Sequence, residues 1–256
     1  MSDARSRILG RLRGALAHDA PGSWPAATAD AEPKATPSPL AAAPLTERLT
    51  ALITAMRAVQ TEVHLARSSD WTQRLTAIVA SHGVRRLAIG DGPGLPTAAQ
   101  QALAALQAAP QGPQVLPFNR DIDAWKAELF TTVDAGFTTA RCGIADTGGL
   151  ILWPDATEPR TLSLVPPLHI AWLDGRRVHA SLADAIGRDS WTAHGLPTNA
   201  LLISGPSKTS DIQQTLAYGA HGPRALALII VVPDDVDLAA LAARTGALVN
   251  AAGATA

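Results

Sequence analysis

From residue 45 onwards, short apolar runs alternate with segments of helical periodicity, and this alternation constrains the fold more than any other feature. A strand, a helix and a second strand in succession favour parallel strand pairing, with the helices packed on the sheet. The chain is therefore predicted to be an α/β protein with a mainly parallel sheet. The predicted helices cover 45–63, 71–81, 96–108, 122–130 and 237–251, and the predicted strands cover 85–89, 115–118, 168–173, 201–204 and 225–232.

One segment departs from this alternation. Apolar runs at 142–146 and 149–154 flank Thr147 and Gly148, which are residue types found in tight turns. Two strands joined by such a short turn form a hairpin. We therefore predict a β-hairpin insertion in the α/β domain.

The first residues differ in composition from the rest. Ile8, Leu12 and Leu16 recur at helical spacing within 2–18, which predicts an amphipathic helix. Residues 20–44 are rich in Pro and Ala and show almost no apolar period, which is typical of a linker. We predict an N-terminal helix over 1–19, a flexible linker over 20–44 and one domain over 45–256. Its core covers about 45–233, and a C-terminal helix follows.

Composition excludes several classes of protein. Hydrophobic residues make up 47% of the chain and charged residues 17%, so a sizeable core is available. A formal net charge of −1 without a basic stripe argues against a nucleic-acid surface. The single cysteine, Cys142, excludes an intramolecular disulfide and an iron–sulfur cluster bound by cysteines of this chain.

The sequence also gives expectations about metal binding and location. The seven histidines lack metal-ligand spacing, so we expect no metal site. The chain has no apolar run of membrane-spanning length and no signal-peptide pattern at its start. We expect a cytoplasmic protein without a membrane span.

The run 201–224 carries the densest set of candidate site residues. It predicts a strand, a Gly-Pro turn, a short helix, a second Gly-Pro turn and the next strand. Ser, Thr and Asp at 207–211 are helix-capping types, since their oxygens accept free backbone N–H groups. Lys208 adds a full positive charge beside the partial charge of a helix N-terminus. At the C-terminal end of a sheet strand, such a turn would bind a carboxylate or phosphate. The predicted anion-binding residues are Gly205, Ser207, Lys208, Thr209, Ser210 and Asp211.

Two other roles for this turn are alternatives to anion binding. Capping alone also explains its Ser, Thr and Asp residues, so a purely structural role stays open. A nucleotide-binding P-loop is excluded, because Ser207 stands where such a loop needs glycine directly before the lysine.

Four more residues are candidates for the same site, each with a structural alternative. Asp146 lies in a turn whose composition needs no other purpose, but its carboxylate could act as a base, a nucleophile or a cation ligand near Lys208. His169 enters a strand, where a packing role is the alternative to catalysis. His221 and Arg224 could close over a ligand or only fix the Gly-Pro turn between them.

Three motifs resemble a known family. They are Asp146-Thr-Gly-Gly149, Leu162-Ser-Leu-Val-Pro-Pro-Leu-His-Ile170 and the run from Ile203-Ser-Gly-Pro-Ser-Lys-Thr-Ser-Asp to Gly219-Ala-His-Gly-Pro-Arg224. Together they resemble the LUD domain of the lactate utilization protein C family, over roughly 45–233. A common family pattern in the first motif is Glu-Thr-Gly-Thr. Here Asp146 replaces the glutamate and Gly149 the second threonine, so the acidic group has a shorter reach.

The resemblance implies a fold and a role. The fold would be similar to the sugar-isomerase and CoA-transferase group (NagB/RpiA/CoA-transferase-like), with a parallel Rossmann-like sheet. The role would be that of a subunit or accessory of a bacterial iron–sulfur system that oxidises L-lactate to pyruvate. In that system partner proteins carry the iron–sulfur clusters, and this chain would hold no cofactor.

We expect the loops at the C-terminal edge of the sheet to form the site. Lys208 and the 207–211 turn would bind a small carboxylate or phosphate-bearing ligand, with Asp146 and His169 as catalytic candidates beside it. Two alternatives remain. One is a free-standing transferase or ligase acting on CoA esters, sugar phosphates or folates, with Asp146 as the nucleophile. The other is a non-catalytic assembly protein whose N-terminal helix and linker hold partners.

Overall fold

The computed structural model describes residues 3–18, 37–91, 97–110, 112–191, 196–209 and 217–249. They fall into two compact units, Met1–Pro37 and Ser38–Ala256. The first unit contains helix α1 (Asp3–His18), where the sequence predicts a helix. Most of the predicted linker, residues 20–36, lies outside the described part of the chain.

The second unit alternates helices and strands. Its helices are α2 (Leu45–Ala58), α3 (Trp71–Ser81), α4 (Thr97–Ala108), α5 (Ile122–Thr131), α6 (Thr161–Leu164), α7 (Leu182–Arg188) and α8 (Leu238–Thr245). Its strands are β1 (Glu62–Ala66), β2 (Arg86–Ile89), β3 (Gln114–Pro117), β4 (Ala135–Ala140), β5 (Cys142–Ile144), β6 (Gly149–Leu152), β7 (Leu168–Asp174), β8 (Val178–His179), β9 (Leu201–Ile203), β10 (Lys208–Thr209), β11 (Ala217–Tyr218) and β12 (Ala225–Val231). Within the described ranges, no helix has both the length and the apolar character needed to cross a bilayer.

The described part of this unit contains two larger sheets and the two-stranded antiparallel pair β10–β11. The main sheet has six strands in the order β1-β12-β7-β4-β2-β3, and every neighbouring pair is parallel. The second sheet has the order β8-β5-β6-β9, and its β5–β6 pair is the predicted hairpin. The prediction of an α/β fold with a mainly parallel sheet is confirmed.

Helices cover both faces of the main sheet, because side chains along a strand point alternately to its two faces. On β7, Ile170 packs in one apolar cluster with residues of α3 and α4. Its neighbour Ala171 points the other way, into a cluster with α2, α8 and the hairpin strand β6. On this second face, α5 and α6 cover the end of the sheet formed by β2 and β3.

The sequence pattern missed two strands of the main sheet. The predicted helix over 45–63 is too long, because α2 ends at Ala58 and Gln60 takes a φ of 67°, which turns the chain into β1. Strand β4 was also missed, since Ala-Gly-Phe-Thr-Thr-Ala gives only a weak apolar pattern. Gly136 is required there, because a Cβ at this position would lie 2.0 Å from the carbonyl oxygen of Leu162 in α6.

Candidate functional site

Segments that lie far apart in the sequence meet around one cavity of about 310 Å³, which we call the N-edge cavity. Its lining consists of Val59, Ser163, Leu164, His169, residues 202–208, residues 221–223 and Leu226. The cavity lies at the amino-terminal ends of β7 and β12, since His169 and Leu226 are the second residues of those strands. The expectation that loops at the C-terminal edge hold these residues is therefore wrong.

His169 lies at the inner end of the N-edge cavity and is only 1% exposed. Its Nε2 is 2.8 Å from the Thr138 hydroxyl on the neighbouring strand β4. Burial lowers the pKa of His169 to about 3, because the charged imidazolium would lose its hydration. The imidazole is therefore neutral at physiological pH and offers one donor and one acceptor nitrogen.

Lys208 lies at the rim of the cavity, with its side chain exposed. The predicted helix start at this position is wrong, because Lys208 and Thr209 form β10 and pair with Tyr218 and Ala217 of β11. Among the described residues of this turn, no helix N-terminus therefore lies beside Lys208. Attraction of an anion here rests on the charge of its ammonium group.

Backbone hydrogen bonds hold the two Gly-Pro turns together at the cavity rim. The N–H of Ser207 donates to the carbonyl of Pro223 at 2.8 Å, and the N–H of Gly219 donates to the carbonyl of Ser207 at 2.9 Å. Gly205 has a φ of 144°, and a Cβ there would lie 2.8 Å from the Val59 side chain. The turns thus hold Ser207, Lys208 and His221 beside one another along the cavity.

Asp146 does not line the cavity that contains Lys208, although the sequence predicted it beside the same ligand. It is exposed in the β5–β6 turn, and its N–H donates to the carbonyl of Ala180 at 3.1 Å. Leu150 pairs with Ile203, so this turn lies at the same end of the small sheet as Ser204. Asp146 is nevertheless absent from the cavity lining, which gives it no contact with a ligand held there.

The other predicted residues fall outside the N-edge cavity or outside the described structure. Arg224 is exposed and lines a neighbouring recess with Arg85, Arg86 and Tyr218. Thr209 is half-buried on β10. Ser210 and Asp211 lie outside the described residues. Gly205, Ser207, Lys208, His221 and His169 are thus the predicted residues that share this cavity.

Sequence reasoning missed one wall of the cavity and one partner of its histidine. Ser163 and Leu164 form the wall and belong to α6, a helix of four residues. One turn of helix carries no detectable apolar period. Thr138 was missed because β4 was missed, although its place two residues after a required glycine marks a strand on which another element packs closely.

The geometry suits a small polar anion. Cavities of roughly 300 Å³ are at the lower end of the range for small-molecule sites. A carboxylate at the rim would contact the Lys208 ammonium group, and a ligand oxygen further inside would meet the neutral imidazole of His169. Ser207 also lines the cavity, and its hydroxyl is a further donor or acceptor.

Residues 49–231 match the LUD domain family. The chain belongs to the LUD domain family. This confirms the resemblance drawn from the motifs. An uncharacterized protein of Neisseria meningitidis is 44% identical to this LUD domain protein over 196 residues, which cover 76% of this chain and 82% of that protein.

Named relatives match a shorter segment. Lactate utilization protein C 1 of Bacillus mycoides is 34% identical over 101 residues, which cover 38% of this chain and 43% of that protein. Lactate utilization protein C of Shouchella clausii is 32% identical over 100 residues, covering 38% and 44% respectively. The matched segment thus spans less than half of each of these relatives.

A solved structure agrees with the fold. The crystal structure of a DUF162 family protein from Deinococcus radiodurans superimposes with a TM-score of 0.52 at 20% sequence identity. The match covers 74% of this chain and 99% of that one. At this identity the likeness concerns the fold alone, and it supports the Rossmann-like α/β architecture.

Proposed function

We propose that this LUD domain protein is a cytoplasmic component of a bacterial system that oxidises L-lactate to pyruvate, and that it binds the small carboxylate in its N-edge cavity. Family membership and the relatives named lactate utilization protein C support the proposal. The observation that carries the binding role is the meeting of Lys208, His169 and Ser207 in one small cavity.

The proposed binding mode follows from charge and burial. A charge-assisted hydrogen bond from Lys208 would hold the carboxylate at the open side. His169 is neutral, so it adds no second positive charge and can bond to the hydroxyl of lactate or the keto oxygen of pyruvate. One cavity would therefore accept both the substrate and the product of the oxidation.

The proposal assigns electron transfer to partner proteins. Removing two electrons from lactate requires an acceptor, and protein side chains alone do not supply one. Iron–sulfur clusters are commonly held by four cysteines, whereas this chain has one, and Cys142 is buried. We therefore place the iron–sulfur clusters of the system in the partners of this protein.

Replacing Lys208 with Ala should weaken carboxylate binding at least about tenfold, since one charge-assisted hydrogen bond is lost. Isothermal titration calorimetry of the full chain with L-lactate and with pyruvate measures this. Lys208→Arg should bind within a few-fold of the wild type. Lys126→Ala is the matched control, because Lys126 is exposed on α5 and absent from the cavity lining.

Two outcomes of this titration would contradict the carboxylate site. One is a wild-type chain that binds neither L-lactate nor pyruvate. The other is equal weakening by Lys208→Ala and Lys126→Ala, which would indicate a general effect of charge.

The role in a larger system has a separate test. The tagged full chain, co-expressed with the proteins encoded by the adjacent genes, should co-purify in a fixed ratio with iron–sulfur proteins among them. The purified assembly should reduce an artificial electron acceptor with L-lactate, and the chain alone should not. Turnover by the chain alone would place the redox chemistry on this protein and overturn that part of the proposal.

A further inference from the structure

A second cavity lies at the opposite edge of the main sheet, which is the edge where the sequence predicted the site. It has a volume of about 410 Å³, and we call it the C-edge cavity. Thr139 near the end of β4, Asp174 at the end of β7 and the segment 153–158 after β6 contribute to its lining. Ligands of open α/β sheets bind at the carboxyl ends of the strands. This position therefore favours a ligand site independent of the N-edge cavity.

Hydrogen-bond donors exceed acceptors around the arginines of the C-edge cavity. Arg141 and Arg177 approach the same carboxylate, that of Asp189, at 3.4 and 2.8 Å. Their side chains stay 28% and 42% exposed, so a ligand can reach them. Two guanidinium groups that share one carboxylate leave several N–H donors for an incoming oxyanion.

Two tryptophans lie in the cavity wall beside these arginines. Arg141 lies over the ring of Trp153, with 3.5 Å between its Cζ and the ring centroid. The indole N–H groups of Trp153 and Trp172 are buried, and neither finds a hydrogen-bond partner in the described part of the chain. Because both N–H groups lie beneath the accessible surface, a ligand in the cavity does not reach them, and the contribution of Trp153 is to hold the Arg141 guanidinium in the cavity wall.

The carboxylates that line the C-edge cavity are already engaged. Asp155 accepts hydrogen bonds from Thr157 and Glu158 within its own turn, at 2.7 to 2.8 Å. Asp174 accepts from the N–H of Arg176 at 2.9 Å. These acids stabilise turns, whereas the arginines have donors to spare.

Glu158 differs from Asp155 and Asp174 in its protonation state near neutral pH. Its carboxyl accepts from the backbone N–H of Thr139 at 3.0 Å and contacts the Thr139 hydroxyl at 3.1 Å. Burial is the main cause that raises the pKa of Glu158 to about 7; the hydrogen bonds from Thr139 oppose this rise, and the nearby Asp155 carboxylate adds to it. Near neutral pH this group therefore exists in both protonation states, and the protonated state can donate a hydrogen bond.

We propose that the C-edge cavity binds a small oxyanion that also carries a hydroxyl group. Arg141 and Arg177 bind the oxyanion, and Glu158 bonds to the hydroxyl. This site goes beyond the carboxylate site proposed for the N-edge cavity and shares no lining residue with it.

Two probes test this site by calorimetry on the full chain. Sulfate is a bare oxyanion, and glycerate is a carboxylate with hydroxyl groups; neither titrates between pH 6 and 8. Glycerate should bind more tightly than sulfate. Arg177→Gln should weaken both probes at least about tenfold. Arg176→Gln is the matched control, because the Arg176 side chain is exposed and absent from the cavity lining. This substitution should change the affinity for either probe less than about twofold.

Glu158 gives the site a pH dependence of known sign. As pH rises through about 7, its carboxyl becomes negative and repels the oxyanion, so glycerate affinity should fall between pH 6 and 8. Glu158→Gln should abolish this fall. The charged groups around Glu158 are Arg141, Arg177, Asp155 and Asp174 in the lining and Asp91, whose N–H donates to the Thr157 carbonyl.

Lys208→Ala separates the two cavities. It should leave glycerate binding at the C-edge cavity unchanged. If Lys208→Ala abolished glycerate binding and Arg177→Gln left it unchanged, this inference would be overturned. The carboxylate site proposed for the N-edge cavity would still stand. Absence of binding by both probes, or equal loss with Arg176→Gln and Arg177→Gln, would also overturn it.

Discussion

Replacing His169 by Gln should flatten the acid side of the stability profile of this protein. Burial lowers the pKa of His169 to about 3, from an ordinary value of 6.5 in the unfolded chain. Between these values the unfolded chain binds a proton that the folded chain excludes. Stability from this residue is therefore complete above pH 6.5 and is lost as pH falls towards 3, at about 1.4 kcal/mol per pH unit.

The comparison is best made as a difference between variant and wild type, because Glu158 acts with the opposite sign. Its pKa is raised from 4.5 to about 7, so its contribution is complete below pH 4.5 and is lost as pH rises through 7. Both residues act between pH 4.5 and 6.5, and their effects partly cancel in the wild type. Subtracting the stability profile of His169→Gln from that of the wild type removes the contribution of Glu158 and leaves that of His169.

Urea unfolding of both proteins between pH 7 and 4.5 measures this effect. The stability difference between wild type and His169→Gln should shift by about 3 kcal/mol in favour of the variant over this range. Glutamine retains an amide that can bond to the Thr138 hydroxyl. Thr138→Val is the control: it should lower stability at every pH and keep the slope. Parallel profiles for wild type and His169→Gln would contradict the lowered pKa of His169.

Local patterns predicted most of the architecture, and they failed where tertiary contacts decide. Apolar runs such as 225–232 identify strands, because a central parallel strand is buried on both faces. This pattern does not identify β4. Gly136 allows close contact with α6, and the Thr138 hydroxyl bonds to His169, so neither residue adds to an apolar run. The residues of β4 are explained by the elements that pack against it, α6 and β7.

At the candidate sites, too, local patterns predicted some features and tertiary contacts decided the others. The motif residues Ser207, Lys208 and His221 do share a cavity, as the spacing of the two Gly-Pro turns suggested. The helix expected at 207–211 was a local prediction from capping residues, and pairing with Ala217 and Tyr218 overrides it at Lys208 and Thr209. The edge of the sheet at which the site lies depends on the direction of β7. No local pattern encodes this edge.

The sequence predicted a site at the edge where the C-edge cavity lies, but it did not bring together the residues that line this cavity. Glu158 follows a turn-forming stretch and has no motif around it. Its raised pKa arises from burial against Thr139, a residue of the missed strand β4. Arg141 and Arg177 are far apart in sequence and meet only because β5 and β8 are neighbours in the small sheet. Only the folded arrangement makes them a pair.

A close contact between the backbones of β4 and α6 gives the second large effect, in the variant Gly136→Ala. A Cβ at Gly136 would lie 2.0 Å from the Leu162 carbonyl oxygen and 2.9 Å from its carbon, and both are backbone atoms. Backbone cannot rotate away as a flexible side chain can, so α6 must move off β4. Overpacking of this kind costs about 3 kcal/mol. Equilibrium unfolding in urea should show this loss.

Gly187→Ala is the matched control for this substitution. Gly187 lies in α7, and a Cβ there meets nothing within 4 Å. Alanine is a better helix former than glycine, so this variant should gain roughly 0.5 kcal/mol. The same chemical change should thus have opposite signs at the two positions. Because α6 also forms a wall of the N-edge cavity through Ser163 and Leu164, Gly136→Ala should weaken L-lactate binding as well. Unchanged stability of Gly136→Ala would show that α6 does not pack against β4 in solution.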